Sequence, residues 1–354
     1  MTRTAEFVNG LTCPAPAPPT ERIQLGHGSG GKLSAALLKD RFLPHLTNPV
    51  LRQLGDAAVV PVFTGEIAIS TDTFVVNPVE FPGGNIGSLA VHGTLNDVAM
   101  MGAVPRFLSA GFVLEEGLEF AVLDRVIGAM AAAALAAGVP LVTGDTKVVE
   151  RGKADGLYIN TTGIGTLDGP CRPAPHRAAN GDAVLVSGPI GAHGMAVMAA
   201  REGLGFEAEI ESDSATLYPL VARLAGRFGG DVHVLRDPTR GGVASALNEI
   251  AAASQCGIVL EEDALPIQGS VAAACEMLGL DPLYVAGEGV MLVILPARHA
   301  EAAVADMRSH PLGACAACIG RVVADHPGMV VMRTGIGGTR VVDMLPGDQL
   351  PRIC

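Results

Sequence analysis

The order of apolar segments is the feature that most limits the folds open to this chain. Strand-like runs alternate with helical runs from EIAIST (66–71) to YINTTGIGTL (158–167). A proline-rich stretch, CRPAPHRAANGD, follows, and the order of elements then restarts with AVLVSG (183–188). Because strands that alternate with helices build layered sheets, this order predicts two α/β domains of similar size, with a boundary near residues 170–180.

The same pattern predicts the individual elements. Helices are expected over 83–102, 119–137, 216–228, 241–254 and 298–309, with one more beginning near His193. Strands are expected over 66–71, 106–114, 140–144, 158–167, 183–188, 290–295 and 329–332. The resulting division is a loose leader over 1–22, an N-terminal domain over 23–172, a C-terminal domain over 173–345 and a mobile tail over 346–354. Pro346, Gly347 and Pro351 prevent a continued helix or central strand in that tail.

Composition and charge argue against several classes of partner. Hydrophobic residues make up 49% of the 354-residue chain, aromatic residues 4%, and there is no tryptophan. A core of Ala, Val, Leu and Ile suits a layered α/β fold. The formal net charge of -12 disfavours a nucleic acid or an anionic membrane surface as the main partner. An anionic ligand therefore needs nearby Lys or Arg side chains, backbone N–H groups or a divalent metal.

One uncharged run, VIGAMAAAALAAGVPLVTG from Val126, approaches the length of a membrane span. Gly138 and Pro140 interrupt it and alanine outnumbers leucine, so a buried helix followed by a strand is predicted. The N-terminal residues lack the long apolar stretch of an export signal. We therefore expect a soluble, cytoplasmic protein whose seven cysteines are mostly reduced thiols.

The segment GHGSGGKLS (26–34) partly matches two phosphate-binding motifs, the dinucleotide fingerprint and the Walker A loop. Both motifs must follow a buried strand, and the preceding APAPPTERIQL cannot form one. Two interpretations remain, a plain flexible loop or a glycine-rich segment that folds over a polyphosphate. In the second, backbone N–H groups at Gly28, Gly30 and Gly31 and the ammonium of Lys32 contact the ligand.

Four aspartates are candidate metal ligands. Asp72 and Asp145 each follow an apolar strand, which is where a sheet presents ligands, and Asp56 and Asp97 lie in similar small-residue surroundings. Mg²⁺ bound with a nucleotide takes a few carboxylates together with phosphate oxygens. Any one aspartate at a strand end also serves as a cap or turn residue. Four of them downstream of a glycine-rich segment favour a metal–nucleotide site.

Further candidates lie in three short segments and at the C-terminus. Lys147, in GDTKVVERG, is a candidate to neutralise phosphate or act as a base, or is a solvated surface lysine. Asp237 and Arg240, in RDPTRGGV, flank a turn that opens a helix, and a helix start beside an arginine binds anions. Glu288 stands between two glycines in GEGVML, as a turn residue or a catalytic base. Cys354 is a terminal thiol suited to carrying a covalently bound group, or a chance terminal residue.

Taken together, these segments resemble the HypE family of hydrogenase maturation proteins. The matching stretches are HGSGG, STDTFVVNPVEFPGGNIGSLAVHGTLNDVAMMGA, GDTKVVERG, RDPTRGGV, GEGVML and the terminal PRIC, and the resemblance runs from about Ile23 to Cys354. The terminal PRIC is the most specific of them. The others are shared more loosely with aminoimidazole ribonucleotide synthetase, selenophosphate synthetase and thiamine-monophosphate kinase, so the resemblance implies their two-domain fold.

The resemblance implies an ATP-dependent dehydratase. A HypF carbamoyltransferase places a carbamoyl group on the terminal thiol, here Cys354, and the HypE protein dehydrates it to a thiocyanate. The cyanide then reaches the iron of a nickel–iron hydrogenase through a HypC–HypD complex. The family also implies Mg²⁺, a homodimer joined through its N-terminal domains with ATP at the junction, and a glycine lid over ATP formed by GHGSGG.

The site residues that follow fall into three groups. Cys354, Lys147 and Glu288 are expected to be catalytic. The nucleotide is expected to contact Gly28, Gly30, Gly31, Lys32, Thr73, Asn96, Gly144, Thr146, Asp237 and Arg240, and the metal Asp56, Asp72, Asp97 and Asp145. Two alternatives remain open: a small-molecule kinase or selenophosphate-type synthetase with the same ATP site, and a non-catalytic carrier that ferries a group on its thiol.

Overall fold

The structure is a computed structural model that describes residues 21–29, 31–54, 57–61, 63–204, 210–344, 350 and 352–354. Two of the predicted site residues, Gly30 and Asp56, lie outside the described residues, as do most of the predicted leader and most of the predicted tail.

The N-terminal half is built on a four-stranded sheet covered on one face by helices. Its strand order is β1-β6-β4-β5, with β4 and β5 parallel and the other neighbours antiparallel. Its strands are β1 (Ile67–Phe74), β2 (Glu80–Phe81), β3 (Gly84–Asn85), β4 (Val104–Glu115), β5 (Leu141–Val149) and β6 (Leu157–Thr166), of which β2 and β3 form a separate pair. Its helices are α1 (Gly31–Leu37), α2 (Ile86–Met100) and α3 (Phe120–Ala137).

The C-terminal half is built on a seven-stranded sheet. The strand order is β13-β12-β9-β11-β7-β10-β8, and only the β12–β9 pair is parallel among the described pairings. Its strands are β7 (Asp182–Val186), β8 (Val234–Arg236), β9 (Gly257–Glu261), β10 (Leu292–Pro296), β11 (Ala317–Val323), β12 (Val330–Arg333) and β13 (Thr339–Val342). Its helices are α4 (Ala192–Glu202), α5 (Tyr218–Phe228), α6 (Gly242–Ser254), α7 (Gly269–Leu278) and α8 (Ala300–Arg308). Two α/β units, as predicted, make up the chain.

Helix α2 is the element that connects the two halves. It begins at Asn85, whose side-chain oxygen accepts hydrogen bonds from the backbone of Gly87 and Ser88 and satisfies two N–H groups of the first turn. It then runs between the first sheet and α3, and most of its residues are buried. A Cβ at Gly87 would lie 2.1 Å from the carbonyl oxygen of Val126, so glycine permits the close approach of α2 and α3.

The uncharged run from Val126 forms the predicted helix and strand. Helix α3 ends at Gly138, which has a positive φ of 68°, and β5 follows. By length and composition α3 is apolar enough to cross a membrane. Leu123, Ile127 and Met130 are fully buried against the protein core, which is the position of a core helix.

The largest differences from the predicted elements are in the strand lengths. The strands expected to end at 71 and 144 continue to Phe74 and Val149. Asp72 and Asp145 therefore lie inside β1 and β5 and not after them. Strands β2, β3, β8, β9, β11 and β13 and helices α1 and α7 were not predicted. The expected boundary near 170–180 falls in the connection between β6 and β7.

Candidate active site

Four carboxyl groups converge where α2 meets the C-terminal half. Asp72 comes from β1 and Asp97 from α2, while Asp237 precedes α6 and Glu288 precedes β10. The hydroxyl of Ser70 donates a hydrogen bond to Asp97 Oδ2 at 2.7 Å. Asp237 and Glu288 are buried. The structure thus brings together four of the sequence-predicted residues from both halves of the chain.

Burial changes the acidity of this cluster. It raises the pKa of Glu288 well above its usual range, and the neighbouring Asp237 and Asp213 raise it further. Burial, followed by the charge of Asp97, raises the pKa of Asp237 to about 7. The pKa of Asp97 is also raised by burial, although its hydrogen bond from Ser70 opposes the shift. The raised pKa favours the protonated form of Glu288, which becomes a proton acceptor only when it ionises.

Gly289 and Gly93 allow Glu288 to pack closely against α2. The backbone N–H of Glu288 donates to Asp213 Oδ1 at 3.1 Å, and burial raises the pKa of Asp213 to about 6. A Cβ at Gly289 would lie 1.6 Å from the carbonyl oxygen of Asp213. A Cβ at Gly93 of α2 would lie 2.9 Å from the Phe74 ring and 3.7 Å from Glu288 Oε2. Both glycines thus permit the close packing that places this carboxyl beside Phe74.

A second group of predicted residues lies on the other face of the first sheet. The register aligns Thr73, Asn160, Gly111 and Asp145 in one row across its four strands. These residues and Lys147 border a cavity of about 180 Å³. Lys147 Nζ lies 2.8 Å from Asp145 Oδ2, and this hydrogen bond lowers the pKa of Asp145. An anion can reach this row of residues, and Lys147 lies at the edge of the row.

The two groups cannot meet within one chain. Asp72 aligns with Thr161, whose hydroxyl donates to the backbone of Ala90 on α2, so the Asp72 row faces the helix. Asp145 belongs to the neighbouring row, and successive side chains of a strand point to opposite faces. Within one chain, Asp145 therefore lies on the face of the sheet opposite to Asp72 and Asp97. Among the described residues no three His, Cys, Asp or Glu side chains are arranged to hold a metal.

The glycine-rich segment packs against β5. Residues Leu25–Gly28 form a short 3-10 turn, and a Cβ at Gly28 would lie 2.4 Å from the backbone nitrogen of Val148. Next to this contact lies a cavity of about 270 Å³, which residues of both the segment and the strand line. The polar residues that line the cavity are His27, Ser34, Thr143, Gly144, Asp145 and Thr146. Lys32, two residues before Ser34 on α1, is exposed to solvent. The segment lies beside the candidate nucleotide residues of β5 without following a strand as a P-loop does.

Two predicted nucleotide contacts differ sharply in exposure. Arg240 is 71% exposed, and its guanidinium lies 3.8 Å from Asp72 Oδ1. Asn96 is buried, and its amide donates to the carbonyl oxygens of Ala215 and Glu288 at 2.9 and 3.1 Å. Its Oδ1 accepts from the backbone of Leu217. Asn96 therefore holds α2 against the C-terminal half, because its donors and acceptor are already occupied by backbone groups.

The last three residues of the chain are docked against the N-terminal half. The backbone N–H of Val75 donates to Cys354 O and that of Asn77 to Arg352 O, both at 3.2 Å. Ile353 is buried. The last three residues thus lie antiparallel to the segment that follows β1. Val75 follows Phe74, whose ring lies close to Gly93 and Glu288, so the backbone of Cys354 is one residue removed in pairing from a residue that borders the carboxyl cluster.

Three residues near this site were not among the sequence predictions. Asp213 holds the backbone of Glu288, and His193 and Arg201 contact the tail. Asp213 stands in an irregular loop, and the two contacts to the tail involve a segment far away in sequence. No local sequence motif therefore identifies any of these three residues as part of the site.

Comparison with known proteins identifies the family. Residues 54–167 match the family described as AIR synthase related protein, N-terminal domain, and residues 179–332 match the corresponding C-terminal domain. Carbamoyl dehydratase HypE of Cupriavidus necator is 53% identical over 94% of this chain and 95% of its own length. Carbamoyl dehydratase HypE of Escherichia coli is 46% identical over 94% of this chain and 99% of its own.

Solved structures agree. A hydrogenase maturation protein HypE in complex with ATP matches with a TM-score of 0.90 and 52% identity, over 93% of this chain and 99% of that one. A HypE–HypF complex matches with a TM-score of 0.77 and 45% identity, over 88% of this chain and 100% of that one. Thiamine-monophosphate kinase of Stenotrophomonas maltophilia, at 20% identity and a TM-score of 0.60, shares the fold. This chain therefore belongs to the HypE family of carbamoyl dehydratases.

Proposed function

We propose that this protein uses ATP to dehydrate a carbamoyl group on Cys354 to a thiocyanate, the source of the cyanide ligand of a nickel–iron hydrogenase. The observation that carries the proposal is the docked C-terminus. The backbone of Cys354 pairs with Val75, next to Phe74, and the Phe74 ring and Glu288 Oε2 both border Gly93. We infer that a substrate attached to that thiol reaches the neighbouring buried carboxyl group of Glu288.

The reaction balances without a further reactant. S-carbamoyl cysteine and ATP give S-cyano cysteine, ADP and phosphate, and the amide oxygen leaves within the phosphate. ATP supplies the phosphoryl group that converts the amide oxygen into a leaving group. Both N–H protons must then leave the nitrogen. Glu288 accepts one when it is ionised, and Lys147 neutralises the departing charge or shares the proton transfer.

The residues present fit ATP and Mg²⁺. Lys147 and Asn160, on the open face of the first sheet, offer donors to phosphate oxygens. Asp72 and Asp97 offer carboxylate oxygens. Burial, and to a lesser extent the charge of Asp72, raise the pKa of Asp97, and a divalent cation would offset both effects. We therefore assign Mg²⁺ to this pair, with Asp56 and Asp145 as further candidates.

A complete site requires two chains. The Asp72 row and the Asp145 row lie on opposite faces of one sheet, so Lys147 and Asp145 do not reach Asp72 of the same chain. The open face carries exposed apolar side chains, among them Ile67, at 51%, and Ile69, at 62%. We propose a homodimer that buries this face, with ATP at the junction.

The partners follow from the reaction. A solved relative is a HypE–HypF complex, and we propose that a HypF carbamoyltransferase loads Cys354 of this protein. A HypC–HypD complex then receives the cyanide. We place these steps in the cytoplasm.

Mass spectrometry tests the proposal directly. The protein is incubated with HypF, carbamoyl phosphate and ATP, and the C-terminal peptide is weighed before and after Mg·ATP is added to the isolated carbamoylated protein. We expect one carbamoyl group on Cys354, followed by the loss of one water. An adduct on another cysteine, or a carbamoyl group that persists with Mg·ATP, would contradict the proposed function.

Deletion of residues 351–354 separates the alternatives. A kinase or synthetase acting on a diffusible substrate would keep full turnover without them. A thiol carrier with no catalytic role would show no ATP hydrolysis even when carbamoylated. The proposed dehydratase loses turnover on deletion and hydrolyses ATP when carbamoylated.

A further inference from the structure

Helix α4 contacts the backbone of the docked C-terminus at two points. His193 Nε2 lies 3.0 Å from the carbonyl oxygen of Ile353. Arg201 donates from Nη2 to the carbonyl oxygen of Arg352 at 2.6 Å and from Nε to that of Asn77 at 2.7 Å. The two residues are eight positions apart, which is about two helical turns, so they lie on one face of α4. This face belongs to the C-terminal half, whereas Asn77 belongs to the N-terminal half.

The surroundings of His193 define its protonation state. The residue is fully buried, and burial lowers the pKa of its imidazole to about 4. A neutral imidazole has one donor nitrogen, and a carbonyl oxygen only accepts, so Nε2 carries the proton toward Ile353. Nδ1 then accepts from the hydroxyl of Ser212 at 2.8 Å. The Phe81 ring packs edge-on at 5.3 Å and fixes the plane of the imidazole.

The loop that orients His193 also holds Glu288. Ser212 precedes Asp213, whose Oδ1 accepts the backbone N–H of Glu288. One short loop thus determines the tautomer of the imidazole that holds Ile353 and the position of the carboxyl group that serves Cys354. A shift of either contact would change the distance between the loaded thiol and its proton acceptor.

We propose that His193 is a positioning residue for dehydration: it donates from Nε2 to the Ile353 carbonyl and so holds Cys354 against the carboxyl cluster, with Ser212 selecting its tautomer. The role in dehydration rests on the proposed function of Cys354. The docking itself does not, because it is a property of the unloaded protein. His193 does not touch the reacting atoms.

Alkylation of the unloaded protein tests the docking. Each cysteine peptide is followed by mass spectrometry during reaction with iodoacetamide, and exposed Cys315 and Cys318 serve as internal references. We expect His193→Ala to raise the rate at Cys354 about two- to tenfold, the factor that corresponds to one net hydrogen bond. His193→Gln, which retains a side-chain N–H donor, should recover much of the protection, and Ser212→Ala should lie between. Equal Cys354 rates in all four proteins would overturn the proposal.

His92→Ala is the matched control. The His92 imidazole is also largely buried, its pKa is lowered to about 4, and its Nδ1 lies 2.9 Å from the hydroxyl of Ser214 in the same loop. Among the described contacts it has no hydrogen bond to the C-terminus. His92→Ala should therefore leave the Cys354 rate unchanged. A rise equal to that of His193→Ala would assign the effect to the loop as a whole and refute the specific contact.

Single-turnover dehydration tests the second part. We expect carbamoylated His193→Ala to lose at least tenfold in dehydration rate, with recovery in His193→Gln, while loading by HypF is unchanged. Faster alkylation with a wild-type dehydration rate would show that docking through His193 is not needed for catalysis and would refute the positioning role. If the wild-type protein itself forms no thiocyanate, the proposed function fails, and the alkylation result still decides the docking.

Discussion

At the scale of single residues, Glu288 is the group whose chemistry depends most on its surroundings. Burial of its carboxyl, and next the charges of Asp237 and Asp213, raise its pKa well above the usual range and favour the protonated form. A protonated carboxyl accepts no proton, so the fraction able to act as a base increases as the pH rises toward its raised pKa. The same burial that weakens Glu288 as an acid makes it a stronger base once it ionises.

We therefore predict that the rate of the dehydration step increases with pH in the wild-type protein. Glu288→Gln preserves size but cannot ionise, so it should bind ATP and accept the carbamoyl group yet form no thiocyanate at any pH. Lys147→Ala should show the same loading without product. The measurement is the mass of the Cys354 peptide in single-turnover reactions over a series of pH values. Dehydration by Glu288→Gln at near the wild-type rate would remove Glu288 from the mechanism.

Asp237 provides a separate prediction about stability. An aspartate in the unfolded chain ionises near pH 3.9, whereas burial raises the pKa of Asp237 to about 7. Between these values the folded protein retains a proton that the unfolded chain has lost. The stabilisation from neutral Asp237 is therefore complete below about pH 4 and is lost as the pH rises through about 7.

Asp237→Asn imitates the neutral side chain at every pH. We expect it to raise the melting temperature of the ligand-free protein more at pH 8 than at pH 5, as measured by calorimetry. The comparison of two pH values in the same variant serves as an internal reference. A gain that is equal at both pH values would show that Asp237 is already ionised in the folded protein.

At the scale of elements, the contact between α2 and α3 depends on one glycine. A Cβ at Gly87 would lie 2.1 Å from the backbone carbonyl oxygen of Val126, which cannot rotate away as a flexible side chain does. Gly226, in the exposed face of α5, has no atom within 4 Å of its own hypothetical Cβ. The two positions therefore separate the effect of crowding from the effect of backbone entropy.

Gly87→Ala is expected to destabilise the protein by about 1–3 kcal/mol, because α2 and α3 must move apart. Gly226→Ala should stabilise it by about 0.5–1 kcal/mol, because alanine favours a helix interior. Chemical unfolding of the two variants and the wild type measures both values. If Gly87→Ala were as stable as Gly226→Ala, the helices would not be in the close contact described.

The alternation of elements and the helix starts could be predicted from the sequence, because both depend on local patterns. The ends of β1 and β5 could not, because each strand continues through polar residues such as Asp72 and Lys147 after its apolar run stops. The face on which each aspartate lies depends on the strand register, which pairs Asp145 with Gly111, Gly111 with Asn160, and Asn160 with Thr73. That register is set by long-range contacts, and no short motif encodes it.

At the scale of the whole molecule, the docked C-terminus contacts both halves of the chain. Val75 and Asp155 of the N-terminal half and His193 and Arg201 of the C-terminal half all bind its last three residues. Cys354 therefore reaches the carboxyl cluster only while the two halves keep their arrangement.

The final prediction concerns the proposed homodimer, which would bury the open face of the first sheet. Ile69 is 62% exposed in the middle of that face, and we expect Ile69→Asp to convert the proposed dimer to monomer because it places a charge in an apolar interface. Ile336, 98% exposed between β12 and β13, is the matched control, and Ile336→Asp should leave the dimer intact. Sedimentation equilibrium measures the mass of each variant. Because the proposed ATP site lies at the junction of two chains, monomeric Ile69→Asp should also lose ATP hydrolysis, whereas a monomer with full turnover would show that one chain forms a complete site.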